Sequence, residues 1–225
     1  MVLDYPKLES PFSRETIDGV HQCIPKIREE YRWVWSEDCI AVDKLDGTNV
    51  SVKMLNGRVK SIYNRCNVID IWKSGKWFYD GVRNAIDRKY FDPLEYNDEQ
   101  IFGELIGPKI QGNPYKLTEH LWVPFEYLKE NYYYKFWQHD VVKECIGKTN
   151  DEIFNITSDV FKGLWSIYKR QHDIKGEVNE KSVFEDSPAA EGIVFYNSKT
   201  NEKCKLRRDM FVWYVGKRHD FGDLP

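Results

Sequence analysis

Residues 44–49, KLDGTN, place a lysine two residues before an aspartate, followed by a glycine, a threonine and an asparagine. The flanking segments, CIAVDKL and TNVSVKML, have the β-branched alternation of strands, so the motif is expected where two strands meet a turn. A cation and an anion beside glycine suit a charged ligand that approaches the backbone. A surface ion pair that contributes little free energy is the alternative.

A neighbouring hairpin is expected to bring a further cation to this motif. An Asn-Gly pair at residues 56–57 is a strong signal for a two-residue turn. Counting outward from that turn pairs Asn49 with Asn64 and Thr48 with Arg65. Arg65 would then lie beside the KLDGTN motif, and the combined charges would suit a nucleotide phosphate.

The last part of the chain predicts a second charged hairpin, EGIVFYN and KCKLRR joined by the turn NSKTN. Three cations alternate along its second strand and share one face: Lys203, Lys205 and Arg207. A register that pairs Tyr196 with Glu202 would place Glu191 opposite Arg207. A solvated charged strand explains the pattern equally well.

The remaining elements predict an α+β architecture with antiparallel sheets flanked by helices. GKWFYDGVRNAIDRKYF is expected to be a helix and QIFGELIGP a buried strand. We expect LTEHLWVPFEYLKEN to be helical with a break before Pro124, and YYYKFWQHDVV to be a strand. Helix starts are expected at Thr149 and Ser158. No linker or repeat marks a boundary, so residues 1–225 are interpreted as a single domain.

Composition and charge limit the possible partners. The chain has 225 residues, 41% hydrophobic and 31% charged, which is typical of a soluble globular protein. It lacks an 18-residue apolar run and a basic-apolar leader, so we expect no membrane partner and an intracellular, cytoplasmic location. Five cysteines without a CxxC pair predict reduced, mostly buried thiols. With a net charge of -3, nucleic acid would need a local basic patch.

Taken in order, six segments resemble the nucleotidyltransferase motifs of ATP-dependent polynucleotide ligases. They are KLDGTN, NRCN, FGELIGPKIQGNPY, FWQHDVV, EGIVFYN and KCKLRRDMF, and they extend over residues 44–211. The sequence is most similar to RNA ligases of the nick-sealing, double-stranded RNA branch, because DNA ligases and capping enzymes usually have arginine where this chain has Asn49. The resemblance implies a nucleotidyltransferase (adenylyltransferase) fold.

The resemblance also assigns the central chemistry. Lys44 matches the lysine that attacks the α-phosphate of ATP, forming lysyl-AMP with loss of pyrophosphate. Lys205 is expected to be catalytic by neutralising the α-phosphate. Glu191 matches the acidic residue associated with Mg²⁺ and the reacting phosphates. AMP then passes to an RNA 5′-phosphate, and an RNA 3′-hydroxyl attacks that end to seal the strand.

Further positions match the nucleotide-binding pattern of the family. The nucleotide-binding set is Tyr5, Asp46, Gly47, Arg65, Glu104, His139, Glu191, Lys203 and Arg207. Glu104 matches the residue that binds ribose, and Asn49 resembles one that orients the RNA ends. His139 stands where the family has a phenylalanine that stacks on adenine, and Phe136 or Trp137 could replace it. Either Lys203 or Arg207 is the second cation beside Lys205.

Family members often carry a further C-terminal OB or helical domain, whereas only 14 residues follow Phe211. The expectation is therefore a minimal ligase that seals pre-adenylylated ends and binds ordinary nicks weakly, with a protein partner as a possible replacement for that domain.

Three other functions are compatible with these residues: the catalytic core of a DNA ligase, a GTP-using capping enzyme, and a catalytically silent nucleotide- or RNA-binding protein. In the silent protein, the aromatic stretch YYYKFW would be a base-stacking surface, although aromatic residues in strands more often belong to the core.

Overall fold

The computed structural model describes residues 2–173 and 191–214. In chain order the strands are β1 (Phe12–Ile17), β2 (Val20–Ile27), β3 (Cys39–Asp43), β4 (Thr48–Leu55), β5 (Arg58–Asn64), β6 (Asn67–Val68), β7 (Gln100–Ile106), β8 (Leu121–Pro124), β9 (Gly192–Asn197) and β10 (Lys203–Arg207). The helices are α1 (Lys76–Asp87), α2 (Phe125–Asn131), α3 (Val142–Cys145) and α4 (Asn150–Asp173), with short helical turns at Glu29–Trp35, Ile71–Gly75, Pro93–Glu95, Trp137–Val141 and Arg208–Met210. The predicted mixture of helices and antiparallel sheets is confirmed.

These elements form two compact units, each with its own hydrophobic core. Unit 1 contains residues 2–7 and 45–131, and unit 2 contains residues 8–44, 132–173 and 191–214. The assignment of residues 1–225 to a single domain without an OB or helical domain stays a prediction.

Unit 1 is built on a five-stranded antiparallel sheet in the order β6-β5-β4-β7-β8. One face of this sheet packs against α1, where Phe78 and Val82 join Val50, Leu105 and Trp122 in a buried cluster. Burying these large apolar side chains supplies most of the driving force that holds the helix on the sheet.

The β4–β5 hairpin has the predicted turn but a different register beyond it. Leu55 pairs with Arg58 as expected, yet the register shifts by one residue near Lys53 and Met54. Asn64 therefore pairs with Val50, and the predicted pairs of Asn49 with Asn64 and Thr48 with Arg65 are wrong. A β-bulge adds one unpaired residue to a strand, and no turn signal in the sequence marks its position.

Unit 2 combines a two-stranded sheet, β1-β2, with a three-stranded antiparallel sheet in the order β10-β9-β3. Its core is aromatic, with Phe12, Phe195, Phe211 and Trp137 all fully buried. A buried hydrogen bond of 3.1 Å from Trp35 Nε1 to Thr157 Oγ1 satisfies polar atoms where α4 joins this core.

Two predicted elements are wrong in type. Leu121–Pro124 is a strand, with all four residues buried, and only Phe125–Asn131 is helical. YYYKFWQHDVV is not a strand: it forms the helical turn Trp137–Val141, which continues into α3. Trp137, Val141 and Cys145 are buried at intervals of four residues, which is the spacing of one face of a helix. The sequence therefore contained a helical spacing, although its aromatic residues favour a strand.

Helix α4 begins where Thr149 predicts, whereas Ser158 lies buried inside the same continuous helix. Thr149 and Glu152 form a reciprocal cap, because the Thr149 N–H donates to the Glu152 carboxylate at 2.9 Å and the Glu152 N–H donates to Thr149 Oγ1 at 3.3 Å. The Thr149 backbone hydrogen bond is the main reason that the pKa of Glu152 is lowered to about 2.

Four of the five cysteines are buried and reduced, which confirms the expectation, while Cys66 is exposed. In the portion of the chain that the structure describes, no helix combines the length and the apolarity that are needed to cross a membrane.

Thr149→Ala is expected to lower the free energy of unfolding by about 1 kcal/mol, because it removes the N-cap of α4. Urea unfolding followed by circular dichroism measures the change. Asn155→Ala is the matched control, since Asn155 is exposed on the same helix. Equal stability of Thr149→Ala and the control variant would contradict the capping role.

Candidate active site

The closest charged contact in unit 2 that involves the KLDGTN motif joins Lys44 to Glu191. Lys44 Nζ donates a hydrogen bond to Glu191 Oε2 at 2.6 Å, across 147 positions of sequence. The Glu191 side chain is 1% exposed and the Lys44 side chain is 18% exposed. The carboxylate is thus enclosed while the amine retains access to solvent, an arrangement that allows Lys44 to meet a ligand.

The central strand β9 fixes the position of Lys44. The β3–β9 pairing places Asp43 opposite Ile193, and the Lys44 N–H donates to the Gly192 carbonyl oxygen at 2.9 Å. On the other side, β9 pairs Gly192 with Arg207 and Val194 with Lys205.

Because directly paired residues point to the same face, this register puts Lys44 on one face with the three predicted cations of β10. Those cations are Lys203, Lys205 and Arg207. The shared face predicted for them is confirmed by the alternation of half-buried cations with the buried Cys204 and Leu206.

The predicted register of this hairpin is nevertheless wrong by one residue. Tyr196 pairs with Lys203 rather than with Glu202. Glu191 therefore lies opposite Arg208, whose N–H donates to the Glu191 carbonyl oxygen at 3.2 Å, and not opposite Arg207. The connection between the paired residues is one residue longer than expected, residues 197–202, and within it the Asn201 N–H donates to the Asn197 carbonyl oxygen at 3.0 Å.

Gly192 makes this arrangement possible. A Cβ atom at this position would collide with the carbonyl oxygen of Leu206 and lie 2.7 Å from Arg207 Cα. Only glycine lets β10 approach so closely at the residue that separates Lys44 from Arg207.

Sequence reasoning missed two buried charged residues beside the Lys44–Glu191 pair. Asp43 is buried, and burial, followed by the nearby Glu191 charge, raises the pKa of its carboxyl well above the usual range. Lys44, Tyr134 and Arg208 act in the opposite direction. An aspartate at the end of the otherwise apolar strand CIAVD was the available signal.

Arg208 is the second missed residue. Its guanidinium carbon lies 4.3 Å from the Trp165 ring centroid and 5.2 Å from that of Tyr214, and the residue is buried. Aromatic rings on a guanidinium stabilise the cation away from water. By the alternation along KCKLRR, Arg208 falls on the face of the buried Cys204 and Leu206, which is an unusual position for a cation.

The three cations of β10 differ in their surroundings. Arg207 makes a bidentate pair with Asp209, at 2.9 and 3.0 Å. Lys203 Nζ lies 5.6 Å from the Tyr196 ring centroid. The backbone N–H of Lys205 donates to the Glu9 carbonyl oxygen at 2.8 Å, which holds β10 at the segment before β1.

Among the three aromatic candidates for base stacking, Trp137 is excluded. It is fully buried in the core, and its Nε1 donates to the Val34 carbonyl oxygen at 2.8 Å. His139 is exposed on the same helical turn, and Phe136 is partly buried against the core. His139 and Phe136 therefore both stay candidates.

In unit 1, Asp46 and Gly47 contact β7 and the loop that follows it. The Asp46 N–H donates to Tyr115 Oη at 2.6 Å, and both residues are buried. A Cβ atom at Gly47 would collide with the Leu105 carbonyl oxygen and lie 2.7 Å from Glu104 Cγ. The close approach that requires this glycine is thus made by β7.

Three further predicted residues lie on the sheet face of unit 1 opposite to α1. Asn49 pairs directly with Glu104, and Tyr5 packs against Phe102, two residues before Glu104 on β7. Tyr5 also lies 4.7 Å, centroid to centroid, from Phe125. The side-chain oxygen of Asn49 is buried and accepts no hydrogen bond from the described residues, which suits a group that meets a ligand.

Arg65 does not join the strand pair that was predicted to contain it. It lies exposed in the turn between β5 and β6 with a φ of 54°. A residue with a left-handed backbone conformation does not continue a β-strand. The turn, and not strand pairing, therefore determines the direction of the Arg65 side chain.

The carboxylates of unit 2 fit a hard divalent cation. Among the described residues, His, Cys, Asp and Glu side chains do not gather in groups of three or more that could hold a metal ion. Mg²⁺ commonly takes only one or two carboxylates, with phosphate oxygens and water as its other ligands. Glu191 and Asp43 are enclosed carboxylates of unit 2 that could supply such ligands.

Loss of the cation in the Lys44–Glu191 pair should destabilise the protein more than loss of the anion. Lys44→Met removes the nearest cation from an enclosed carboxylate, with an expected loss of about 3 kcal/mol in the free energy of unfolding. Glu191→Gln should cost less, because the Lys44 amine can reach water. Urea unfolding of both single variants and of K44M/E191Q measures the coupling, and the double variant should recover most of the loss. Strictly additive losses would contradict an energetic pair.

Comparison with known proteins gives a family assignment. The protein-family model described as RNA ligase matches residues 37–211, which is most of the chain. A comparison with curated proteins found no match.

Solved structures of a Naegleria gruberi RNA ligase are similar to this chain. A mutant with AMP and Mn has a TM-score of 0.45 and 15% identity, over 91% of this chain and 57% of that one. The ligase with PPi has a TM-score of 0.44 and 17% identity, over 92% of this chain and 58% of that one. This chain thus spans less than two thirds of those ligases, and the similarities lie below the level at which a shared fold is inferred. On the extent of the family match, the chain belongs to the RNA ligase family.

Proposed function

We propose that this chain is an ATP-dependent RNA ligase of the nick-sealing branch, with a nucleotidyltransferase fold and Lys44 as its nucleophile. The observation that supports this most directly is the 2.6 Å hydrogen bond from Lys44 Nζ to the enclosed Glu191 carboxylate. Both residues lie within the segment that matches the family.

In the first step, Lys44 Nζ attacks the α-phosphate of ATP. A phosphorus–nitrogen bond forms, the bond to pyrophosphate breaks, and the amine must lose its proton to attack. Glu191 accepts a hydrogen bond from Nζ, so it is the nearest acceptor for that proton.

Cations on the face of Lys44 support the same step. The register of β9 and β10 puts Lys205 on the same face as Lys44, two residues along β10 from the position directly across Gly192. There it would neutralise charge that develops on the α-phosphate. Lys203 and Arg207 lie on the same face of β10 as Lys205, so both stay candidates for the second cation.

A bound Mg²⁺ would supply positive charge for the phosphates, held by Glu191 and Asp43. The enclosed position of both carboxylates and the electrostatic effect of Glu191 on Asp43 support this assignment. Arg208 and its aromatic partners would keep the two carboxylates in place when the Lys44 charge is consumed.

The later steps transfer AMP to an RNA 5′-phosphate and join that end to a 3′-hydroxyl. Asn49 and Glu104, side by side on the sheet of unit 1, support the expected roles in orienting the RNA end and binding ribose. RNA is accordingly the proposed polynucleotide partner.

Incubation with Mg²⁺ and ATP should add one AMP to the protein, and GTP should add nothing. Intact-protein mass spectrometry measures the adduct. Lys44→Ala should abolish it, while Lys162→Ala, which removes an exposed lysine of α4, should leave it unchanged. No adduct with either nucleotide, in folded protein that is not already adenylylated, would favour the silent binding protein.

Matched nicks with RNA or DNA on the 3′-hydroxyl side separate an RNA ligase from a DNA ligase core. Gel analysis of sealing should show product when the 3′-hydroxyl belongs to RNA and much less when it belongs to DNA. Equal sealing of both nicks would contradict the assignment to the RNA branch.

A further inference from the structure

Trp72 stands out in unit 1 because its side chain is 93% exposed. Val68 and Ile71, which precede it, are also exposed. A large indole in water forfeits the burial that normally stabilises tryptophan. With Val68 and Ile71 it forms an exposed apolar segment, and contiguous exposed apolar surface is typical of interaction sites.

The turn that carries Trp72 is well defined. The Trp72 N–H donates to Asp70 Oδ1 at 2.9 Å, and the Asp70 carbonyl oxygen accepts from Lys73 and Gly75, both at 3.2 Å. A Cβ atom at Gly75 would collide with Ile69 Cγ2 and lie 2.8 Å from the Asp70 carbonyl oxygen, so the chain packs tightly on itself here. The indole is therefore displayed by a constrained turn.

Cationic residues lie close to Trp72 in the sequence. The side chains of Lys73 and Lys76 are 83% and 81% exposed. Lys73 lies 3.9 Å from Asp70, a loose contact, whereas Lys76 meets Asp80 at 2.7 Å. Arg65 is exposed in the turn before β6. An exposed aromatic ring flanked by cations is suited to single-stranded nucleic acid, which offers a base to the ring and phosphates to the cations.

We propose that Trp72 stacks on a nucleobase of the RNA substrate, with Lys73 and Lys76 contacting the adjoining phosphates. The proposal rests on the function proposed above and extends it to a binding site for RNA outside the nucleotide-binding set. It favours RNA over a protein partner because the exposed indole and the exposed Lys73 together offer a surface for a base and a contact for a phosphate.

RNA binding by Trp72→Ala tests the proposal. Fluorescence anisotropy with a labelled single-stranded RNA should show about tenfold weaker binding for Trp72→Ala, and Trp72→Phe should retain most of the affinity because phenylalanine can still stack. The same RNA with abasic residues should bind both proteins equally, since it has no base to stack. Leu94→Ala, another exposed apolar truncation in unit 1, is the matched control and should bind like the wild type.

Unchanged affinity of Trp72→Ala for RNA would overturn the proposal and leave the exposed indole to a protein partner. Equal weakening on intact and abasic RNA would also overturn it, because the loss would not depend on a base. Self-adenylylation by Trp72→Ala, measured by intact mass, should match the wild type. If the wild-type protein forms no adduct, the proposed function fails, while the anisotropy comparison still decides the role of Trp72.

Discussion

The register of β9 between β3 and β10 is the constraint on which the chemistry of unit 2 depends. Backbone hydrogen bonds in this sheet determine which side chains share a face, and a slip of one residue would exchange the two faces. Gly192 allows the close approach of β10, and its carbonyl oxygen receives the N–H of Lys44. The backbone position of Lys44 is thus set by main-chain hydrogen bonds in this sheet.

Buried charged residues around Lys44 also determine the environment of its side chain. Two carboxylates, Asp43 and Glu191, are enclosed with two cations, Lys44 and Arg208, so the cluster can be electrically balanced without water. Such groups are costly to bury singly and tolerable in combination. Burial, followed by the nearby Glu191 charge, raises the pKa of Asp43, whereas Lys44 and Arg208 act in the opposite direction.

Much of this organisation could be predicted from local sequence signals. Turn chemistry identified the β4–β5 and β9–β10 hairpins, the cap at Thr149 identified the start of α4, and alternation placed the three cations of β10 on one face. These features depend on a few adjacent residues, so the sequence displays them directly.

Features that depend on distant contacts could not be predicted in the same way. The bulge in the β4–β5 hairpin displaced one register by one residue, so Arg65 does not pair with Thr48. The longer turn before β10 displaced another, so Arg208 and not Arg207 lies beside Glu191. The segment around Trp137 favoured a strand by composition, but the helical spacing of its buried residues prevailed. The buried charged environment of Asp43 could not be predicted, because it depends on residues far along the chain, Glu191 and Arg208.

The cysteines differ in exposure, so one of them can be modified selectively. Burial raises the pKa of Cys23 to about 11 and that of Cys145 to about 12, and it also raises the pKa values of Cys39 and Cys204. Thiolate formation at these four sites is therefore suppressed, and their sulfur atoms are shielded from reagents. Cys66 is the exposed thiol, and it lies immediately before β6 on the segment that leads to Trp72. A maleimide dye would consequently label this surface of the native protein without the removal of any other cysteine.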